Sequence, residues 1–387
     1  MLQIIASCVT LLVSLSVAKR PIILIHGIGD SKIEAKVDKL DLSLLCTLYK
    51  SKDFYVIWPQ KAFQWTLTSF CILQILTLFY EKSNWKRGKN KEFVETRIFE
   101  NDFSSLDSIR NVDGFNRDEK YNKKLQKLVE KAYELTGEKV SLFGHSIGAL
   151  YANIFINSQS PEWVYKHINI NIAVSAPWKG MILALHDMAV GNHYNYALNV
   201  DIDWRKSLRS FQGNLGLTPF PKKWESTDPI VVSKSKNYTA KDLSNFYNDI
   251  DFLNGSTRFN SIVDIFQNIE PTKSDSMCLY GDGHLTLSQL VYKRDISKNY
   301  ELPTFRFKNG DNVTTQNSLM WCDTWPSDRY RKVRKIENST HYGILNNQDM
   351  LDDVMKTINR DISNQKLILP GKLALVIKHL TQSSKSC

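Results

Sequence analysis

The chain has 387 residues, 42% apolar, 23% charged and 11% aromatic, and its 50 basic side chains against 40 acidic ones give a net charge of +10. This composition excludes a disordered tail, a collagen-like fibre and a small disulfide scaffold, and the length suffices to bury a sizeable core. The charge suits an anionic lipid surface or a nucleic acid and by itself selects neither.

The first eighteen residues carry no charge, are strongly apolar from Leu2 to Val17, and end in the small residues Ser16-Val17-Ala18. This reads as a secretory signal peptide, because Lys19-Arg20 stops the run short of the roughly 20 residues an anchor needs. Residues 21–25 predict a buried strand that runs into a glycine loop, His26-Gly27-Ile28-Gly29. The segment from Cys46 to Cys71 is rich in aromatics, with Phe54, Tyr55, Trp58, Phe63, Trp65 and Phe70. Residues 70–80 are almost wholly apolar but too few to cross a bilayer, and the basic residues Lys82, Lys86, Arg87, Lys89 and Lys91 follow.

Further along, the spacing of Leu125, Leu128, Val129 and Ala132 predicts a helix over 121–135. Residues 140–143 and 168–175 predict strands. Residues 181–272 lack sheet periodicity and read as an inserted cap. Short strands resume at 277–280 and 304–307, and a closing helix spans 350–358 with Met350, Leu351, Val354, Met355 and Ile358 on one side. Strands alternating with helices imply a mostly parallel sheet covered on both faces.

Of six cysteines, Cys8 leaves with the signal and Cys387 is terminal. Bridges joining Cys46 to Cys71 and Cys278 to Cys322 would each stabilise by about 3.5–4 kcal/mol on the chain-entropy model. Sequence alone leaves the other pairings open. Asn237, Asn254, Asn312 and Asn338 head glycosylation triplets, which fits an exported chain.

The strand at 140–143 runs into Gly144-His145-Ser146-Ile147-Gly148, and a helix begins there. This is G-x-S-x-G in the strand–turn–helix context that lifts a serine hydroxyl clear of a sheet edge. A serine needs a base, and in this arrangement an acid and then a histidine follow in the chain. Asp311, after the strand at 304–307, is the candidate acid, with Asp323 and Asp328 as competitors. His341 is the candidate base, the only histidine after Asp311 inside the folded core. His145 and His26 read as turn histidines. An oxyanion needs two backbone N–H donors. Ile147 supplies one by position, and Ile28 in the first glycine loop is the candidate for the other.

These residues resemble the lecithin:cholesterol acyltransferase and lysosomal phospholipase A family over most of 21–358. The carrying features are residues 21–25 with Ile33-Glu34-Ala35-Lys36-Val37-Asp38-Lys39, the Cys46–Cys71 loop, Ser175-Ala176-Pro177-Trp178-Lys179-Gly180, Asn237-Tyr238-Thr239, and Cys278 with Cys322. The resemblance implies an α/β-hydrolase fold with an inserted cap and a disulfide-closed lid. It implies Cys46–Cys71 and Cys278–Cys322 bridges, Ser146, Asp311 and His341 as catalytic residues, Ile28 and Ile147 as oxyanion donors, and Trp58 and Trp178 as lid or substrate residues. No metal or other cofactor is implied. The expected organisation is signal 1–18; core 19–45, 91–180 and 276–360; lid and membrane-binding segment 46–90; cap 181–275; tail 361–387. Asn237 and Asn254 are the expected glycosylation sites.

The expected activity is phospholipid acyl hydrolysis or O-acyl transfer to water or a lipid alcohol by a lysosomal or extracellular monomer at a membrane or lipoprotein surface. Anionic lipid suits the basic stretch; nucleic acid is not an expected partner. Two departures from the family's pattern matter. His26 stands where the family has proline, which prompts a palmitoyl-thioesterase-like deacylase as an alternative. Leu106-Asp107-Ser108 is followed almost at once by Tyr121, where the family spends some thirty more residues. That shortening predicts a sheet one strand short and prompts a second alternative, an inactive lipid-binding homologue.

Overall fold

The computed structural model describes residues 20–27, 33–38, 46, 50–58, 71–72, 75–81, 84–90, 92–98, 119–191, 205–224, 227–296, 302–326 and 328–360. Six strands come first: β1 (Ile22–Ile25), β2 (Ile33–Val37), β3 (Ser51–Trp58), β4 (Phe79–Glu81), β5 (Asn84–Lys89) and β6 (Val94–Ile98). They precede α1 (Glu119–Thr136), β7 (Val140–His145), α2 (Ile147–Ser158), α3 (Pro161–His167), β8 (Ile168–Val174) and α4 (Ile182–Ala189). Next come α5 (Arg205–Ser210), α6 (Gln212–Gly216), β9 (Val231–Val232), β10 (Asn237–Tyr238), α7 (Leu243–Asp249) and α8 (Gly255–Gln267). The last elements are β11 (Ser276–Gly281), β12 (His284–Val291), β13 (Thr304–Gly310), α9 (Gln316–Leu319), β14 (Arg331–Ile336) and α10 (Gln348–Ile358).

The central sheet has the order β1-β7-β8-β11-β14, and every neighbouring pair is parallel. Parallel strands covered on both faces must be apolar throughout, and all seven residues of β8 are buried. On one face Phe143, Ile170, Ile172, Val174, Met277 and Leu279 pack with Met350, Leu351, Val354 and Ile358 of α10. On the other, Val140 and Leu142 meet Leu125, Val129 and Ala132 of α1 and Phe155 and Ile156 of α2. Each such side chain, fully buried, contributes about 1.5–3 kcal/mol. The start of α10 is fixed by Asn347, whose side-chain oxygen accepts the Met350 N–H at 2.9 Å.

Among the described residues β1 is an edge of this sheet. Residues 108–118, where the shortening was expected to cost the sheet a strand, lie outside the described residues.

Two smaller sheets depart from the expected boundaries. Strand β6 was expected in the core but pairs with β2 in the sheet β3-β2-β6, beside the Cys46–Cys71 bridge. Strand β13 was expected to resume the core sheet but joins β10-β9-β12-β13. That sheet packs with α4, α7 and α8 around Leu287, Leu290, Phe246 and Phe259. The segment 77–80 is tied to α5. Thr77 and Ser207 share a hydrogen bond at 2.6 Å, Ser210 Oγ accepts from Leu78 N–H at 3.0 Å, and Tyr80 O–H donates to the Ser210 carbonyl at 2.7 Å.

The expected Cys46–Cys71 bridge is present. The expected Cys278–Cys322 bridge is a correction: both are free, buried thiols. Burial pushes the Cys278 thiol well above its ordinary range. Among the described residues no helix is long and apolar enough to cross a membrane.

Candidate active site

The site begins at the turn between β7 and α2. Ser146 has φ 57° and ψ −129°, a backbone that a non-glycine residue adopts at a cost of about 1–3 kcal/mol. The turn closes only because its glycines lack side chains. A Cβ on Gly144 would lie 2.5 Å from the Ala149 Cα, and one on Gly148 would lie 2.3 Å from the Ile25 carbonyl oxygen. Gly148 therefore lets the end of β1 come directly against the turn. The Ser146 N–H donates to the Val174 carbonyl at 2.8 Å, so the turn is also pinned to the end of β8. Ile147 opens α2, where the first N–H groups have no intrahelical acceptor and point toward any anion near Ser146.

Asp311 follows β13, and His341 lies in the loop between β14 and α10. Both are buried, at 0% and 1% exposure. His341 Nδ1 and Asp311 Oδ2 are 2.7 Å apart. The pair is also joined through the backbone, the His341 N–H donating to the Asp311 carbonyl at 2.7 Å. Asp311 Oδ1 accepts from the N–H groups of Val313 at 3.1 Å and Thr314 at 2.7 Å. With both oxygens engaged, the carboxylate cannot rotate away from the imidazole. The competing acids lie elsewhere: Asp323 accepts from Tyr280 O–H at 3.5 Å, and Asp328 is exposed beside Arg329.

His145, read from sequence as an ordinary turn histidine, joins the two halves. Its Nε2 lies 2.9 Å from the His341 carbonyl oxygen, and the two rings are 4.9 Å apart. Burial, and then the neighbouring His341, push the His145 imidazole down to about 3. It is therefore neutral, with Nε2 carrying the proton it donates. The motif put His145 next to the serine, but no sequence signal paired it with the loop of His341.

Trp178 is buried at 1% and packs on Trp321 and Trp325 with ring centroids at 5.9 and 5.0 Å. Lys223 Nζ caps this cluster 3.5 Å above Trp321, and burial pushes its ammonium down to about 7. Trp58 ends β3, and its side chain lies outside what is described. Ile28 lies outside the described residues, although His26 and Gly27 before it border the turn. Asn237, Asn312 and Asn338 are exposed, and Asn254 is half-buried ahead of α8.

A five-stranded parallel sheet with helices on both faces, carrying a serine in a strained strand–turn–helix elbow, is an α/β-hydrolase. The class is that of serine hydrolases and acyltransferases. The sequence model of the family described as Lecithin:cholesterol acyltransferase matches residues 110–277. The chain is 26% identical to the phosphatidylcholine-sterol acyltransferase of Mus musculus, over 91% of this chain and 85% of that one. It is 24% identical to the lysosomal phospholipase A and acyltransferase of Rattus norvegicus, over 86% of this chain and 88% of that one. It is 26% identical to the phosphatidylcholine-sterol acyltransferase of Homo sapiens, over 82% of this chain and 79% of that one. The chain thus resembles the lecithin:cholesterol acyltransferase and lysosomal phospholipase A family over most of its length.

Proposed function

We propose that this protein is a phospholipid acyl hydrolase and O-acyltransferase that works through an acyl-serine intermediate. The observation that carries the reading is the buried 2.7 Å contact of His341 Nδ1 with Asp311 Oδ2, in a loop that touches the Ser146 elbow. In this reading His341 Nε2 removes the Ser146 proton as Oγ attacks an ester carbonyl. Asp311 keeps the Nδ1 proton in place and stabilises the imidazolium. The carbonyl oxygen, now an oxyanion, is met by the N–H groups of Ile147 and Ile28. His341 returns the proton to the departing lysolipid oxygen. The acyl group then passes to water or a lipid alcohol by the same steps in reverse.

The phospholipid substrate is inferred from the relatives, a phosphatidylcholine-sterol acyltransferase and a lysosomal phospholipase A and acyltransferase. Residues 46–90 serve as lid and membrane-binding segment, with Trp58 and Trp178 near the substrate, and 181–275 as cap. Exposed Val56 and Phe79, at 42% and 45%, support contact of this region with a lipid surface. Basic residues 82–91 favour anionic lipid. The chain enters the secretory pathway to a lysosomal or extracellular site as a glycosylated monomer, with Asn237 and Asn254 modified. Neither metal nor other cofactor takes part.

The test is Ser146→Ala, assayed on phosphatidylcholine vesicles doped with phosphatidylserine and by labelling with a fluorophosphonate probe. Hydrolysis and labelling should vanish while vesicle binding persists. Retained hydrolysis in the variant would overturn the nucleophile, and an unlabelled wild-type protein would point to an inactive lipid-binding homologue. A palmitoyl-thioester substrate on the same sample separates the deacylase alternative.

A further inference from the structure

The G-x-S-x-G motif specifies its glycines and serine and leaves the side chain between the first glycine and the serine open. Here that side chain is His145, which is 3% exposed and makes one directed contact, from Nε2 to the backbone carbonyl of His341 at 2.9 Å. From this geometry we infer that His145 is a positioning residue, a strut that fixes the His341 loop relative to Ser146 through this hydrogen bond. The inference rests on the reading of Ser146, Asp311 and His341 given above.

The backbone of His341 is held at two points. Its N–H is bound to the Asp311 carbonyl at 2.7 Å and its C=O to His145. Its ring is held at Nδ1 by Asp311. The first and third restraints come from the loop after β13. They fix His341 relative to Asp311 and say nothing of its distance from the serine. His145 alone of these partners belongs to the elbow. Its own placement is set by the turn that sets Ser146: Gly144 against Ala149, Gly148 against Ile25, and the Ser146 N–H on Val174. The strut therefore transmits the rigid geometry of the elbow to a loop that enters from β14 at the far edge of the sheet. The ring adds a second contact, 4.9 Å from the His341 ring and 5.6 Å from that of Tyr342.

The protonation state fits the role. A base that becomes imidazolium during turnover would be repelled by a second cation one ring away. Burial, His341 and His26 all favour the neutral ring, and together they outweigh Asp311 and the hydrogen bond to the His341 carbonyl, which favour the cation. A neutral imidazole with its proton on Nε2 donates to a carbonyl without adding charge beside the base.

Three variants test this with p-nitrophenyl butyrate as substrate. His145→Phe keeps a ring in place and removes the donor; His145→Gln supplies an amide donor at similar reach. Losing the buried bond should lower kcat by about 5- to 150-fold with KM within twofold, and slow fluorophosphonate labelling in parallel. His145→Gln should recover to within about threefold of wild type. His145→Leu decides in the same way if His145→Phe does not fold. Equal losses in the donor and non-donor variants would overturn the strut in favour of packing alone, and wild-type kcat in a non-donor variant would overturn it outright. Ser146→Ala and His341→Ala, measured alongside, keep the two readings apart. If those retain activity, the catalytic assignment fails, whatever His145 does.

Discussion

Replacing Asp311 by asparagine tests the chemistry of the site with the least change of shape. In the native site Oδ1 is occupied by the Val313 and Thr314 N–H groups, which leaves Oδ2 for His341 Nδ1. An asparagine keeps its oxygen on those backbone donors, so its amide nitrogen faces Nδ1. Two donors cannot share that bond, and the imidazole must shift to the tautomer protonated on Nε2, which cannot accept the serine proton. The lost charge adds to this. Carboxylate and imidazolium with charge centres about 4 Å apart attract by about 4 kcal/mol at an effective dielectric of 20. That alone corresponds to roughly a thousandfold in kcat, and the wrong tautomer extends the loss toward roughly ten-thousandfold. KM should change little, because Asp311 is fully buried and acts through His341 without touching the substrate. The variant should unfold near the wild-type temperature, since every native hydrogen bond keeps a counterpart. The assay is p-nitrophenyl ester hydrolysis across a range of pH, with thermal unfolding on the same preparation. A folded variant that loses less than tenfold in kcat would refute the assignment of Asp311.

The elbow and the buried histidine give two further predictions. Gly148→Ala puts a Cβ 2.3 Å and 2.4 Å from the carbonyl oxygens of Ile25 and His26, both backbone atoms, so β1 must move. Urea unfolding should report a loss of about 1–3 kcal/mol together with reduced kcat, and an unchanged midpoint would show that β1 does not abut the turn. For pH, His145 is held at about 3 against an ordinary 6.5, so between those values the unfolded chain binds a proton that the native one does not. Stability is therefore full above about 6.5 and falls on acidification toward 3, by up to about 1.4 kcal/mol per pH unit from this group. His145→Gln should flatten that limb of a melting-temperature profile, and an unchanged slope would mean that the imidazole is already protonated in the folded protein.

How far the sequence could be read depended on whether each constraint was local. Strands β7 and β8 were legible because a parallel strand buried on both faces leaves a continuous apolar run. The turn between β7 and α2 was legible because its motif is contiguous in the chain, although of its two glycines only Gly144 meets a clash inside the turn, against Ala149, while Gly148 faces Ile25 of β1. Strand β14 was missed: Arg331-Lys-Val-Arg-Lys-Ile336 carries four charges, yet among the described residues it is an edge strand whose Lys332 and Arg334 both bind Asp353 of α10. Strand β13 was legible as a strand but not as a member of its sheet, since alternation along one strand says nothing of its partner. That partner matters, because pairing with β12 sets Asp311 beside His284. The bond from His145 to His341 spans 196 residues and had no trace in the sequence, because His145 read as a turn histidine and nothing paired it with the candidate base. Local sterics thus made the serine recognisable, while the acid, the base and the strut that relates them depend on contacts between distant loops. A substitution at His145 should accordingly leave the elbow intact and disturb only its alignment with the base. The comparison of His145→Phe with His145→Gln isolates that distinction.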